Sequence, residues 1–553
     1  MDYKKLADLL YPNIDKDINY YRNLYKKRDL PKGAEVTRFA PSPTGYMHIG
    51  GFISALIDSR LAETTNGVFY MRLEDTDQKR EIKNAGSIAY DALLKFCVKP
   101  SEGYRGESLP EVGEYGPYVQ SKRLHIYHAF AKEMVANGNA YPCFCEKAES
   151  KQDILKRREE QLDNTDTLED KDICRNLTLE QIEDNLNKGK KFAIRLKSQG
   201  DINKFIKVVD RIKGEREIRE NTKDIILIKN NGIPVYAFAH LVDDTLMGTT
   251  TVIRGEEWYQ SLSAHLELFK LCGLTPPRYA HTPVICKLDN GNKRKISKRS
   301  DPEADTRYYV KEGYPVTAVL EYLINLANSD FEEWRKQNPF LHYTEFPFSV
   351  DKIGSNNPMF DFNKLNDVSK NVFARMTAQE VYDGYLQWCD EFDKDMYNYL
   401  LTNKDYALKV LNIEREGVNP RKDICKYSEI KNYYNYMFFD LRSVYLDFTN
   451  FEHFDKCLLL KIYESYLEIF DESDTKEDWF NKIKLIAEKY NFCTNNKEYK
   501  LNPTSYLGNT ATFCTALRIM ITGKQQSPDL YTICVLLGKE KLKQNLQVLR
   551  EKF

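Results

Sequence analysis

The segment running from Ala34 to Thr65 constrains this chain more than any other. AEVTRFA (34–40) is an apolar run of strand length that enters a turn rich in proline and glycine, PSPTGYMHIGG (41–51). A helix is expected from about Gly50 to Thr65, with Ile53, Leu56, Ile57 and Leu61 on one face and Asn66-Gly67 as its stop. VFYMRLED reads as a second strand, ending in acids, and a second helix is expected around 81–97. Strand, glycine turn, helix, strand is the grammar of an α/β fold built on a doubly wound parallel sheet.

One such sheet does not account for 553 residues, because single cores stop growing near about 250–300 residues. The pattern divides into an amphipathic, polar N-terminal extension (1–33), an α/β domain (34–120 and 223–280), an insertion between its halves (121–222), a region carrying the basic loop GNKRKISKRSD (281–360) and a helical remainder (361–553). Charged helices such as KAESKQDILKRREEQ mark the insertion, and strands are expected to resume at DIILIKN, PVYAFAHLVDD and TTTVIRG.

The formal net charge of −1 excludes a uniformly basic nucleic-acid coat but leaves room for a local basic surface. No run approaches the roughly 20 apolar residues that cross a bilayer, and the leader has no signal-peptide core. The 12 cysteines are scattered, which suits reduced thiols. A cytoplasmic protein without membrane contact is the expectation.

Two segments carry chemistry. PSPTGYMHIGG lies where a parallel strand hands over to a helix, and the first-turn amides of such a helix form an anion site at the positive end of its dipole. Gly45, Gly50 and Gly51 let a ligand approach the backbone, and His48 can donate a hydrogen bond or, if protonated, a charge. The second segment, KISKR (295–299), crowds Lys293, Arg294, Lys295, Lys298 and Arg299 into seven positions, a self-repelling arrangement unless polyanions are near. Alone, the first is an ordinary glycine turn and the second a solvated loop. Their pairing is the specific feature. No GxxxxGK[ST] loop, GxGxxG fingerprint or HExxH site is present in the sequence.

His-Ile-Gly-Gly and Lys-Ile-Ser-Lys-Arg resemble the HIGH and KMSKS signatures of class I aminoacyl-tRNA synthetases. The longer strings RFAPSPTGYMHIGG, RLEDTD, GPYVQSKR, PVYAFAHLVDD and VIRGEEW are similar to those of bacterial-type glutamyl-tRNA synthetases, as is ALRIMITGKQQSPDLYTICVLLGKE in the tail. The resemblance implies a Rossmann-like catalytic domain, an inserted domain that binds the tRNA acceptor end (121–222), a stem-contact region (281–360) and an all-helical anticodon-binding region (361–553). It implies ATP-dependent activation of L-glutamate, with Mg²⁺ on the phosphates, and transfer to the 3′ end of tRNA-Glu by a monomer.

The site residues follow by resemblance. His48, Gly50, Gly51, Thr44, Glu257, Trp258 and Lys298 fall to ATP, with Lys298 and Lys295 neutralising the phosphates as pyrophosphate departs. Arg38 and Tyr236 are the pair for the glutamate side chain, Glu74 accepts the α-ammonium, Arg254 takes the other carboxylate, and His240 lines the same subsite. For each, the competing role is that of a structural ion pair.

This sequence departs from the family at several points. His240 stands where Asn or a small apolar residue is usual, and Val235 replaces a common Thr. A histidine there is nearer to glutaminyl-tRNA synthetases, but these lack Arg-Gly-Glu at 254–256 and carry a β-barrel anticodon module. A relaxed enzyme that also charges tRNA-Gln, and an inactive synthetase-like RNA-binding protein, are the remaining alternatives; intact His48, Lys298, Glu74 and Arg254 speak against the second. Cys143, Cys145 and Cys174 occupy three places of a Cys-x-Cys…Cys-x-His zinc pattern, but Asn176 fills the fourth and is a poor ligand, so buried cysteines rather than zinc are expected. Arg421, in NPRKDICKYSEIK, is a candidate for an anticodon base edge or phosphate, against a solvated arginine.

Overall fold

The computed structural model describes every residue except 44, 77–81, 146–172, 416, 418, 450 and 453. The chain forms two units, Met1–Tyr308 with Leu320–Asp361, and Tyr309–Val319 with Phe362–Phe553.

The described strands all belong to the first unit. They are β1 (Val36–Phe39), β2 (Val68–Met71), β3 (Glu102–Gly103), β4 (Ala140–Cys143), β5 (Ala193–Leu196) and β6 (Phe205–Asp210). They continue with β7 (Gly214–Arg219), β8 (Ile226–Ile228), β9 (Thr251–Gly255), β10 (Arg278–Thr282), β11 (Cys286–Asp289) and β12 (Asn292–Lys295). β1, β2 and β3 are parallel, and all four residues of β1 are buried, as a strand covered on both faces requires. Helix Ile49–Thr64 makes the crossover from β1 to β2. It stops at the expected Asn66-Gly67: Asn66 takes φ 53°, and a Cβ on Gly67 would lie 1.9 Å from the Glu35 carbonyl oxygen.

β9 lies beside β1, where the Thr250 amide donates to the Val36 carbonyl at 2.9 Å and the Thr250 hydroxyl accepts from the Val36 amide at 2.8 Å. The sheet then runs through β10 to β6, parallel at Tyr279↔Asp210, and ends in the antiparallel hairpin β6–β7.

Three readings of the sequence change here. The hairpin β6–β7, taken as part of the insertion, pairs with β10 of the catalytic sheet. DIILIKN, read as a returning catalytic strand, forms β8 of the sheet β4-β5-β8 with strands of the insertion. PVYAFAHLVDD is helical over Tyr236–Leu246 rather than a strand; buried His240, Asp243 and Asp244 complete the circle begun by Phe238, Ala239, Leu241, Val242 and Leu246, so no exposed polar face betrays the helix. The charged helix expected at KAESKQDILKRREEQ lies outside the described residues.

Helix Tyr236–Leu246 is held by two adjacent buried acids. Asp243 accepts from Arg123 Nε (2.7 Å), Gln120 Nε2 (2.9 Å) and the Tyr127 hydroxyl (2.8 Å). Asp244 accepts from Arg72 Nη1 at 2.6 Å. The N-terminal extension packs its helices Tyr3–Leu10 and Ile18–Leu24 against helix Leu124–Ala136 through Leu6, Leu10, Ile18 and Tyr21. Arg28 follows as a clasp, bidentate on Glu102 at 2.8 and 2.9 Å, with its Nε on the Met247 carbonyl at 2.8 Å.

The second unit has no strand among its described residues. Its helices, from Phe362–Arg375 to Leu530–Lys552, close around one core containing Tyr385, Ile462, Tyr463, Phe513 and Ile533. Thr377 and Glu380 form a capping box at the start of Ala378–Phe392.

Removing Asp243 leaves the buried Arg123 without its carboxylate, holding only the carbonyls of Tyr115 and Pro117. Asp243→Ala is expected to cost about 3–5 kcal/mol, read as a lower urea midpoint; a change below about 0.5 kcal/mol counts as the scatter of a surface site and contradicts the anchoring role.

Candidate active site

A cleft of about 460 Å³ opens between the carboxyl ends of β1 and β9, the start of helix Ile49–Thr64 and the loop after β12. Arg38, His48, Gly50, Gly51, Glu74, Tyr236, Arg254, Glu257, Trp258, Lys295 and Lys298 line it. These residues come from segments up to 260 positions apart in the sequence. Thr44 lies outside the described residues.

At the helix end of the cleft, His48 is the N-cap of Ile49–Thr64, and its Nδ1 accepts from the Gly50 amide at 2.9 Å. Beside Gly51 a Cβ would meet nothing within 4 Å, so the helix N-terminus has open space for a ligand. Burial first, and then the charges of Lys298 and Lys295, hold the His48 imidazole below its usual pKa. His48 is therefore neutral at pH 7 and offers no charge there.

The two signature segments meet. His48 bonds the backbone of Ile296, and Lys298 Nζ donates to the Tyr46 carbonyl. Further on, the Thr306 amide donates to the Met47 carbonyl at 3.2 Å. Burial lowers the Lys298 pKa, opposed by Asp305 and reinforced by Arg307. The basic crowd does not need an external polyanion to be tolerated. Arg294 binds Asp289 at 2.6 Å and is bidentate on Asp301 at 2.7 and 2.8 Å, while Lys287 reaches Asp301 at 3.1 Å. Asp301, two residues past KISKR, is the anchor that the charge pattern alone did not reveal.

At the opposite end of the cleft, Glu74 is buried beside Arg72, whose Nη2 donates to it at 3.0 Å. Burial raises the Glu74 pKa, and Arg72 and Arg38 offset only part of this. Arg38 lies 3.4 Å from Asp244, which Arg72 also holds, so this arginine is partly claimed by the protein's own acid. Burial disfavours its charge, but Asp244 and Tyr236 more than restore it.

Arg254 differs, because its recorded partners include no carboxylate. Nε donates to His281 Nε2 at 3.0 Å, Nη1 lies 3.0 Å from His265 Nδ1 and 3.4 Å from the Tyr236 hydroxyl, and Nη2 is buried without a partner. Trp258 packs on Tyr236 with ring centroids 4.3 Å apart, and the Glu257 carboxylate folds against Gly255, where a Cβ would lie 2.3 Å from it.

His240 does not line the cleft. It is buried behind Tyr236, stacked at 5.6 Å, with Nδ1 2.5 Å from Asp244 and Nε2 3.0 Å from the Tyr279 hydroxyl. Its assignment to the glutamate subsite is corrected to a supporting position, because residue 240 faces inward, one helical turn beyond Tyr236. Sequence reasoning also missed Asp58, a cleft-lining acid on Ile49–Thr64 whose two oxygens are buried without partners and whose pKa burial drives well above the usual range. A lone acid within an apolar helical run was the available signal. No spacing rule pointed to His265 or His281.

Cys143, Cys145 and Cys174 are not dispersed in separate cores. Their sulfurs lie within 4.8 Å of one another, Cys145 and Cys174 at 3.7 Å, a separation that suits thiolates sharing a tetrahedral metal. Among the described residues no fourth histidine, cysteine or acid joins them. In the second unit Arg421 is paired within the chain, to Asp423 at 2.5 Å and Glu414 at 3.4 Å.

A parallel sheet whose β1 runs into the histidine-glycine bend, a β11–β12 hairpin that brings the lysine loop to the same cleft, and a second unit that is helical among its described residues are the arrangement of a class I tRNA synthetase. The family model for "tRNA synthetases class I (E and Q), catalytic domain" matches residues 35–367, and one for "Anticodon binding domain" matches 509–549. The chain belongs to the glutamate–tRNA ligase family. It is 43% identical to the glutamate–tRNA ligase of Acetivibrio thermocellus, covering 99% of this chain and 100% of the relative. It is likewise 43% identical to that of Clostridium beijerinckii, covering 98% of each. A solved glutamate tRNA ligase from Elizabethkingia meningosepticum shares the fold, with TM-score 0.74 and 23% identity over 93% of this chain and 99% of that one. Among the described residues, no helix is long and apolar enough to cross a membrane.

The raised Glu74 pKa has a direct consequence. As pH falls through a value above the ordinary 4.5, Glu74 takes up a proton and can no longer attract an ammonium group. The glutamate KM for aminoacylation should therefore rise between pH 7 and pH 5. Glu74→Gln should begin with a raised KM and lack the Glu74 part of that rise; identical pH profiles for the two proteins would exclude Glu74 from ammonium binding.

Proposed function

We propose that the protein activates L-glutamate with ATP in this cleft and transfers the glutamyl group to the 3′ end of tRNA-Glu. The observation that carries this reading is Arg254, a buried guanidinium held by neutral groups, in the cleft that also holds His48 and Lys298. A buried cation without an acid partner among the described residues calls for an anion, and a carboxylate answers its fork geometry.

In the first step a glutamate α-carboxylate oxygen attacks the α-phosphorus of ATP. A bond forms between that oxygen and phosphorus, the bond to the β-phosphate bridge breaks, and pyrophosphate leaves. No protein nucleophile is needed, so the residues act by orientation and charge stabilisation. The N-terminus of Ile49–Thr64 and neutral His48 orient the triphosphate. Lys298, released from the Tyr46 carbonyl, and Lys295 meet the charge that builds toward pyrophosphate. Mg²⁺ would come with the phosphates as part of the substrate; among the described residues no group of three acids or histidines in the cleft forms a cage for it. Glu74 receives the α-ammonium, Arg38 with Tyr236 takes the side-chain carboxylate, and Arg254 takes the other. In the second step a terminal ribose hydroxyl of the tRNA attacks the acyl carbon and AMP leaves.

The second unit receives the anticodon arm. Cytoplasmic action is supported by the scatter of the twelve cysteines, which suits reduced thiols.

Lys298→Ala should lower aminoacylation at least a hundredfold with unchanged thermal unfolding; turnover within about threefold of the parent contradicts its phosphate role. In ATP–pyrophosphate exchange with tRNA present, glutamate should exceed glutamine by at least a hundredfold, because an amide leaves a buried charge unpaired at roughly 3–5 kcal/mol. A preference for glutamine overturns the assignment. Charging purified tRNA-Glu and tRNA-Gln with both amino acids decides whether tRNA-Gln is also a substrate.

A further inference from the structure

Arg254 is held in a way that preserves its charge. His281 Nδ1 lies 2.6 Å from Asp210 Oδ2, so that nitrogen carries the proton and Nε2 presents a lone pair to Arg254 Nε at 3.0 Å. Asp210 is itself fixed by the amides of Ile212 at 3.0 Å and Lys213 at 2.8 Å. It closes β6, so the hairpin that returns from the insertion delivers the carboxylate that sets the His281 tautomer. On the other edge of the guanidinium, His265 Nδ1 stands 3.0 Å from Nη1.

Both imidazoles are neutral. Burial lowers the His281 pKa, Asp210 opposes this and Arg254 adds to it. Burial likewise drives His265 well down, with His240, Arg254 and His281 adding to it and Asp244 opposing. Burial pushes Asp210 upward, but the hydrogen bonds from His281 and the two amides outweigh it and keep this carboxylate charged. The remaining groups facing the pair are the phenols of Tyr236, Tyr259 and Tyr279 and, at longer range, Lys213.

A carboxylate at either histidine position would satisfy the same guanidinium protons and cancel the charge that a substrate carboxylate needs. Arg72, held between Asp244 and Glu74, illustrates that other way of holding an arginine.

We propose that His265 and His281 are positioning residues which orient Arg254 through neutral acceptors, leaving its full charge and the buried, unpartnered Nη2 for a carboxylate of the amino-acid substrate, and that Asp210 fixes the His281 tautomer this requires. The proposal rests on the reading of the cleft as a glutamate site and adds the device that gives that site its selectivity for an anion.

The test compares an acceptor that keeps neutrality with one that removes it. His265→Gln should raise the glutamate KM by no more than about threefold, and His265→Glu by at least about tenfold. The ATP KM and thermal unfolding should stay at parental values in both. His281→Glu repeats the test independently should His265→Glu fail to fold. Equal effects of Gln and Glu at position 265, or a Glu variant that binds glutamate as tightly as the parent, would overturn the proposal. Failure of the parent enzyme to charge tRNA with glutamate would instead overturn the reading of the site, so the two failures are distinct.

Discussion

The architecture depends on a pair of adjacent buried acids, Asp243 and Asp244, on the helix Tyr236–Leu246. Asp243 gathers Gln120, Arg123 and Tyr127, and Asp244 gathers Arg72, Arg38 and His240. A buried carboxylate is costly unless fully hydrogen-bonded. These two therefore fix the elements around them: β1 through Arg38, the end of β2 through Arg72, and helix Leu124–Ala136 through Tyr127. Two positions on a helix thus tie the sheet to the insertion, and the first turn of the same helix presents Tyr236 to the cleft.

Around this anchor the amino-acid end of the cleft uses two kinds of arginine. Arg38 and Arg72 share a protein carboxylate, and this coupling places Glu74. Arg254 rests on imidazoles and retains an unpartnered nitrogen. Arg72 builds structure, held between Asp244 and Glu74, whereas Arg38, 3.4 Å from Asp244, is only partly claimed by it. Arg254 keeps a demand for an anion at a buried position, where a charge is worth most. At the other end, the lysine loop is anchored by Asp301 rather than left to self-repulsion, which places Lys298 against the histidine-glycine bend.

Much of this was legible in the sequence. The strand, turn and helix of residues 34–65 follow from a buried apolar run, a glycine turn and a helical stripe, and Asn66-Gly67 ends the helix because Gly67 passes too close to Glu35 for a side chain. The motifs also located His48, Glu74, Arg254 and Lys298, because a resemblance transfers positions along a chain. Side-chain orientation does not transfer in that way. His240 was assigned to the subsite, yet its ring turns inward to Asp244 and Tyr279. Helix Tyr236–Leu246 hid its type, since burial on all sides erases the period that distinguishes helix from strand.

The sequence by itself determined the class of fold, the family and the residue types the chemistry needs, since local periodicity and ordered motifs are properties of the chain. Only the tertiary structure decided which strand joins which sheet and which groups hold Arg254. β6 returns from the insertion to pair with β10, and Asp210, His265 and His281, spread over 72 positions, converge there. Such pairings are set by long-range packing and by the protonation state that burial imposes, and neither leaves a local pattern in the sequence.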